Sequence, residues 1–240
     1  MRIMITGATS GIGHSLALSY VNQGHDVIAC GRSQPKLDAL MEQLPSHATI
    51  TPLCFDLTDY HNYPSLENQE PIDLLILNAG DCEYIDDPLN FDAQMFERII
   101  NVNLISIGYA LQAWLKHLKP GGRLVLVSSS ASLLPLPRAE AYGASKAGLS
   151  YLGKTLSVTL TQHNINVTLV HPGFVETPLT DRNTFTMPML ISSEQATHRI
   201  IKGIEQGKAD ISFPRKFIFI MKCLRFLPTS LWQKLATRMG

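Results

Sequence analysis

No stretch of this 240-residue chain stays apolar for the ~20 positions that a membrane-crossing helix needs. The opening "MRIMITGATSG" moves straight into a strand-like run, which leaves no room for a cleavable leader. No C-x-x-C pair occurs among Cys30, Cys54, Cys82 and Cys223. Three of them lie in or beside apolar runs, as buried free thiols of a reducing cytosol would. There is no net charge, with 20 basic and 20 acidic residues, and no central basic excess of the kind nucleic-acid binders carry. The eight histidines form no ligand-spaced cluster, so no metal is expected. Linkers, repeats and low-complexity tracts are missing too. What remains is one cytoplasmic domain with enough apolar residues (45%) for a sizeable core.

Short apolar runs alternate with longer amphipathic ones. The runs at 2–6, 26–31, 49–55, 73–79, 123–129, 166–172 and 209–213 are expected strands. Several are apolar on successive residues, as strands covered on both faces must be. Helical segments fall near 12–23, 34–44, 91–118, 142–163 and 193–206. Repeated β-α units predict an α/β fold with a doubly wound, seven-stranded parallel sheet and helices on both faces.

Between the first strand and first helix stands "TGATSGIG" (6–13), which supplies Gly7, Thr9, Ser10, Gly11, Ile12 and Gly13. Glycines there permit a tight turn and close approach of backbone N–H groups to a pyrophosphate at the helix N-terminus. An acid ending the second strand would hold the ribose 2′-OH of NAD. None is present: the strand ends "ACGRS". Arg32 can pair with a 2′-phosphate through its planar fork, and Ser33 and Thr9 add hydroxyls. NADP(H) is therefore favoured over NAD(H).

In "AEAYGASKAG" (139–148), Tyr142 precedes Lys146 by four residues, so a helix puts both on one face. A neighbouring ammonium favours the phenolate and lowers a tyrosine pKa from ~10. Only Gly143, Ala144 and Ser145 stand between them, small enough to admit ligands.

With "DLTD" (56–59), "NAG" (78–80), "NVN" (101–103), "SSSAS" (128–132) and "HPGFVETP" (171–178) in this order, residues 2 to about 214 resemble the classical short-chain dehydrogenase/reductase family. The resemblance implies a Rossmann-fold domain over 1–214. It implies a catalytic set of Asn103, Ser129, Tyr142 and Lys146: Tyr142 as acid or base, Lys146 on the tyrosine and the nicotinamide ribose, Ser129 on the substrate carbonyl, and Asn103 on a water. Asp56 and Leu57 would flank the adenine, and Asn78, Ala79 and Gly80 would line the cofactor. Pro172, Gly173, Val175 and Thr177 would hold its nicotinamide end. Ser128 and Ser130 compete with Ser129 as the hydroxyl; the family spacing selects Ser129. The substrate is a small carbonyl or alcohol, and the apolar Leu133, Leu134, Leu136, Phe174, Met187 and Met189 are candidate walls. A cofactor-binding scaffold without turnover is the alternative, against which the intact set of four argues. Relatives dimerise through the helices near 91–118 and 142–163, where Ala110, Ala113, Leu149, Leu152 and Leu156 are candidate outward positions.

The last thirty residues, 211–240, hold six basic residues and no acid. Helices are expected near 215–226 and 229–239, an appendage over 215–240. Phe217, Ile220, Met221, Leu224 and Leu227 form one apolar stripe; Leu231, Trp232, Leu235 and Met239 form a second. Pro228 and Thr229 mark the break between the helices. Docking on the body or a sister subunit is one reading, and peripheral contact with a membrane surface is the other.

Overall fold

Apolar side chains on consecutive strand positions need cover on both faces, because successive residues point to opposite sides. The computed structural model, which describes residues 1–44, 48 and 50–237, provides that cover. The strands are β1 (Arg2–Thr6), β2 (Asp26–Gly31), β3 (Ile50–Cys54), β4 (Ile72–Leu77), β5 (Leu118–Val127), β6 (Asn166–Pro172) and β7 (Asp210–Phe213). All neighbours pair in parallel, in the order β3-β2-β1-β4-β5-β6-β7. The helices are α1 (Gly11–Asn22), α2 (Gln34–Met41), α3 (Ala93–Ile100), α4 (Ser106–Trp114), α5 (Glu140–Thr159), α6 (Ser193–Glu205), α7 (Arg215–Leu224) and α8 (Thr229–Ala236). Ile3, Ile5 and Ile76 pack under α1, α2 and α6; Met4, Leu75 and Leu126 pack under α4 and α5. The winding direction reverses between β1 and β4, and a crevice opens there beyond the carboxyl ends of the strands.

Two expected elements differ. β5 starts at Leu118 instead of 123, because a register shift between Ile72↔Leu118 and Leu74↔Arg123 absorbs the "KPGG" turn residues. The helix expected over 91–118 is interrupted by a π-helical turn at Asn101–Ile105. Thr49, Arg238 and Met239, expected in the third strand and the last helix, lie outside the described residues.

Burial corrects several side-chain expectations. Ala110 and Leu149 are fully buried against the sheet, and Ala113, Leu152 and Leu156 are partly buried there. The apolar residues that these helices turn outward are Ile105, Tyr109, Tyr151 and Val158. Cys30 and Cys82 are buried, but Cys54, on the edge strand, and Cys223 are exposed.

The C-terminal helices dock on the body. Met221, Trp232 and Ala236 cluster with Leu134, flanked by Leu133, Leu136, Phe217 and Leu224. The Trp232 indole N–H donates to the Pro135 carbonyl at 3.0 Å. Leu133, Leu134 and Leu136 therefore seat this appendage. The inward stripe of α7 includes Ile218, while Ile220 is exposed, so the helix is rotated from the face its sequence suggested.

Candidate active site

The crevice is built first by backbone and small side chains. The Thr6 hydroxyl, at the end of β1, accepts from the backbone N–H groups of Asn78 and Ala79 at 3.0 and 3.1 Å. The Asn78 amide donates back to the Thr6 carbonyl at 3.1 Å. The two turns that flank the reversal point are thus sewn together. A Cβ on Gly13 would stand 2.2 Å from the Gly7 carbonyl oxygen, so only glycine lets α1 start this close to the turn. The first turn of α1 has no acidic residue, and the Ser10 side chain makes no capping bond. Its N–H donors are left for an anion. This cradle fits a dinucleotide pyrophosphate.

A cleft of about 360 Å³ runs from that turn. Gly7, Thr9, Ser10, Gly11 and Ile12 line it from the β1–α1 turn, and Arg32 and Ser33 from the end of β2. Asp56 and Leu57 come from beyond β3; Asn78, Ala79 and Gly80 from beyond β4; Pro172, Gly173, Val175 and Thr177 from beyond β6. Ser129, Tyr142 and Lys146 close the far wall. Gly13 and Asn103 are not on the surface of the cleft but stand behind it.

At the β2 end, a Cβ on Gly31 would lie 2.5 Å from the Thr9 methyl group, so no acid fits at that position as the chain stands. Arg32 is exposed, and Lys36, one helical turn on, lines the same end of the cleft. The sequence reading missed Lys36, although its i+4 spacing from Arg32 was visible. Burial works to raise the Asp56 carboxyl, but bonds from Thr58 and the Arg32 guanidinium outweigh it and hold the group below its ordinary range.

At the other end, Ser129 and Tyr142 line the same part of the cleft, and the Ser129 hydroxyl accepts from Ala131 N–H at 3.1 Å. Burial pushes the Tyr142 phenol well above its usual pKa, and nearby Cys82 pushes the same way, against a smaller lowering by the Ser129 hydroxyl. The sequence pointed to lowering by Lys146. The Lys146 ammonium instead donates to the Val127 carbonyl at 3.0 Å, and its nitrogen is 5.8 Å from the Tyr142 ring centroid. Burial pulls Lys146 down to about 8.

Asn103, in the π-helical turn, is fully buried. Its amide donates to the Asp81 carbonyl and the Ser145 hydroxyl at 2.8 and 2.9 Å, and its oxygen accepts from Asp81 N–H at 2.8 Å. It clamps the β4 turn to α5 beside the reacting groups. The triple serine is also divided by role. Ser128 points away from the reacting end and donates to the Lys146 carbonyl at 2.9 Å. It lies 2.7 Å from Ser150, which lies 3.1 Å from His171 Nε2. His171 Nδ1 in turn faces Asp210 at 3.2 Å. This polar chain runs from α5 towards β7. Ser130 is buried in the following 3₁₀ turn.

Outside the lining residues of the cleft runs a row of aromatic rings that reaches Gly173 at its edge. Tyr84 meets Phe185 edge-on at 5.6 Å, Phe185 meets Phe174 at 6.0 Å, and Phe174 meets Phe217 of α7 at 5.6 Å. Of the proposed substrate walls, Phe174 belongs to this row. Met187 accepts from the Asn183 amide, and Met189 is exposed. Arg182 bonds Asp81 at 3.0 Å across the cleft mouth. Neither residue had a motif to mark it. Among the described residues, no group of three or more His, Cys, Asp or Glu could hold a metal ion, and no helix is long and apolar enough to cross a membrane.

A family model described as short chain dehydrogenase matches residues 1–187. A protein of Myxococcus xanthus described as an uncharacterized oxidoreductase is 34% identical, with 98% of this chain and 96% of that protein covered. Among solved structures, a short-chain dehydrogenase from Sphingobium yanoikuyae in complex with NADPH superposes with a TM-score of 0.79 at 24% identity, covering 99% of this chain and 92% of that one. A short chain dehydrogenase/reductase from Burkholderia phymatum in complex with NAD gives 0.82 at 18% identity, covering 92% and 91%. Those two share the fold. A family match through most of the chain, over a cradle that fits a dinucleotide, leads to one conclusion: this protein belongs to the short-chain dehydrogenase family and is an NAD(P)-dependent oxidoreductase.

Proposed function

We propose that the protein transfers a hydride between NADP(H) and an apolar carbonyl or alcohol, with Tyr142 as acid in reduction and base in oxidation. The observation that carries this reading is that Tyr142, Ser129 and Lys146 line one end of the same cleft, with the Lys146 nitrogen 5.8 Å from the Tyr142 ring centroid. When bound, the nicotinamide supplies or accepts the hydride. Tyr142 Oη gives its proton to the carbonyl oxygen during reduction. Its raised pKa keeps that proton in place at neutral pH. Ser129 Oγ orients and polarises the same oxygen. Lys146 would hold the cofactor ribose and stabilise the phenolate that proton donation creates. Asn103 acts from behind the wall as a positioning residue.

Arg32 and Lys36 support NADP(H), because together they present two cations to the position of a 2′-phosphate, where Gly31 leaves no acid to repel it. The aromatic row supports an apolar substrate. The outward Ile105, Tyr109, Tyr151 and Val158 on the middle helices support a homodimer across that face. Four free thiols suit a reducing compartment, the cytoplasm.

Tyr142→Phe tests the assignment. It removes the transferable proton and little volume, so turnover should be abolished while NADPH affinity stays nearly intact. Retention of most activity on a verified substrate would exclude Tyr142 as the acid–base group.

A further inference from the structure

The C-terminal helices have two apolar surfaces, and docking on the body uses only one. Inward, α7 buries Ile218 and Met221. Outward, Phe219, Cys223 and Phe226 follow one another at spacings of four and three, a second stripe on the opposite side. Phe219 is 69% exposed and Phe226 87%. Ile220 beside them, and Leu231 and Leu235 on α8, are exposed as well. Around these side chains stand Arg215, Lys216, Lys222, Arg225 and Lys234, all exposed. Among the described residues, none of these five makes an ion pair. Residues 211–240 contain no acid at all, whereas residues 1–210 hold 14 basic and 20 acidic residues and are net −6.

We propose that the outward face of α7 and α8 is a docking surface for an anionic lipid bilayer. Single aromatic side chains set among unpaired cations match an interface that is apolar below and anionic at its surface. The remainder of the molecule is net acidic, which favours approach through this face over the rest. The helix that carries this face also borders the cleft. Phe217, on its inward side, packs on Phe174 and stands next to Gly173, which lines the cleft. Docking therefore brings the substrate side of the cleft to the lipid, where an apolar carbonyl compound is concentrated. This last step rests on the proposed apolar substrate; the docking itself does not.

Co-sedimentation of the full chain with phosphatidylcholine vesicles, with and without phosphatidylglycerol, tests the docking without any turnover assay. Binding should require the anionic lipid and weaken as salt is raised. Phe219→Ser with Phe226→Ser should lower partitioning about tenfold or more, and so should Lys216→Glu with Lys222→Glu. All four residues are exposed, so NADPH titration of each variant should match the parent and certify its fold. Binding that ignores the anionic lipid, or that survives both double variants, would overturn the proposal. So would concentration-dependent self-association that the phenylalanine variant abolishes in the absence of vesicles, because a second copy of the chain would then be the occupant. Vesicle binding by an enzyme that rejects apolar carbonyls would leave docking standing and remove only the substrate reading.

Discussion

Arg32 and Lys36 allow the cofactor proposal to be tested with numbers. A charge-assisted bond to a phosphate oxygen contributes ~1.5–3 kcal/mol. Both side chains are exposed, so solvent screens them and the lower end, ~1.5 kcal/mol each, is appropriate. With tenfold in affinity for every ~1.4 kcal/mol, each alanine substitution should weaken NADPH binding about tenfold, and the pair about a hundredfold. NADH has no 2′-phosphate, so its affinity should stay nearly unchanged. The pair Arg32→Ala and Lys36→Ala should therefore abolish the preference by weakening one cofactor only. Titration of both cofactors into both proteins by calorimetry gives the four constants needed. Raising the salt concentration should also shrink the preference of the parent, because exposed charges are screened over roughly 8–10 Å at moderate ionic strength. Two results would refute the reasoning: equal affinities in the parent, or a parallel loss of NADPH and NADH affinity in the variant. The second would mean that these side chains shape the fold of the adenine end and do not read the phosphate.

In the reductive direction, kcat/KM should fall as pH rises through about 8, where the buried Lys146 loses its charge in the free enzyme. The sign follows from burial, which lowers a lysine pKa and raises that of Tyr142, so the tyrosine keeps its proton across the same range; a profile flat to pH 10 would reject Lys146 as the titrating group. Tyr151→Asp with Val158→Asp should turn a dimer into a monomer without loss of NADPH binding. A parent that sediments as a monomer at micromolar concentration would dispose of the dimer outright.

The sheet was legible because it is wrapped on both faces. Unbroken apolar runs such as "RIMI" and "DLLIL" leave little alternative to buried parallel strands, and the observed β1, β2 and β6 match the expected ranges. The cleft was legible at turns where a glycine or a short polar motif ends a strand. Lys36, Asp81 and Arg182 escaped because nothing local distinguishes a cation or an acid that meets the cleft from one facing solvent. The pairing of Asp81 with Arg182 spans 101 residues of chain, and only the fold brings them together. The face of α7 failed for a related reason. Its sequence is apolar beyond one stripe, so periodicity alone could not decide between Ile218 and Ile220 for the inward side. The seat formed by Leu133, Leu134 and Leu136 decided it. Likewise, Ala110 and Leu149 carry the same apolar signal whether they face a sheet or a sister subunit. The π-helical turn at Asn101–Ile105 has no glycine or proline to announce it, and is held by the Asn103 bonds.

During synthesis the glycine turn, the β4 turn and the Tyr142–Lys146 helix all leave the ribosome well before Asp210 does. The hydroxyl chain from the Lys146 carbonyl through Ser128 and Ser150 to His171 reaches its outer end only when β7 has been added to the edge of the sheet. Domains assemble from the amino end as they emerge. A chain that stops short of β7 thus keeps the bonds from Asn103, Ser128 and Val127 to the lysine helix and lacks only the acidic neighbour of His171 at the outer end of the hydroxyl chain.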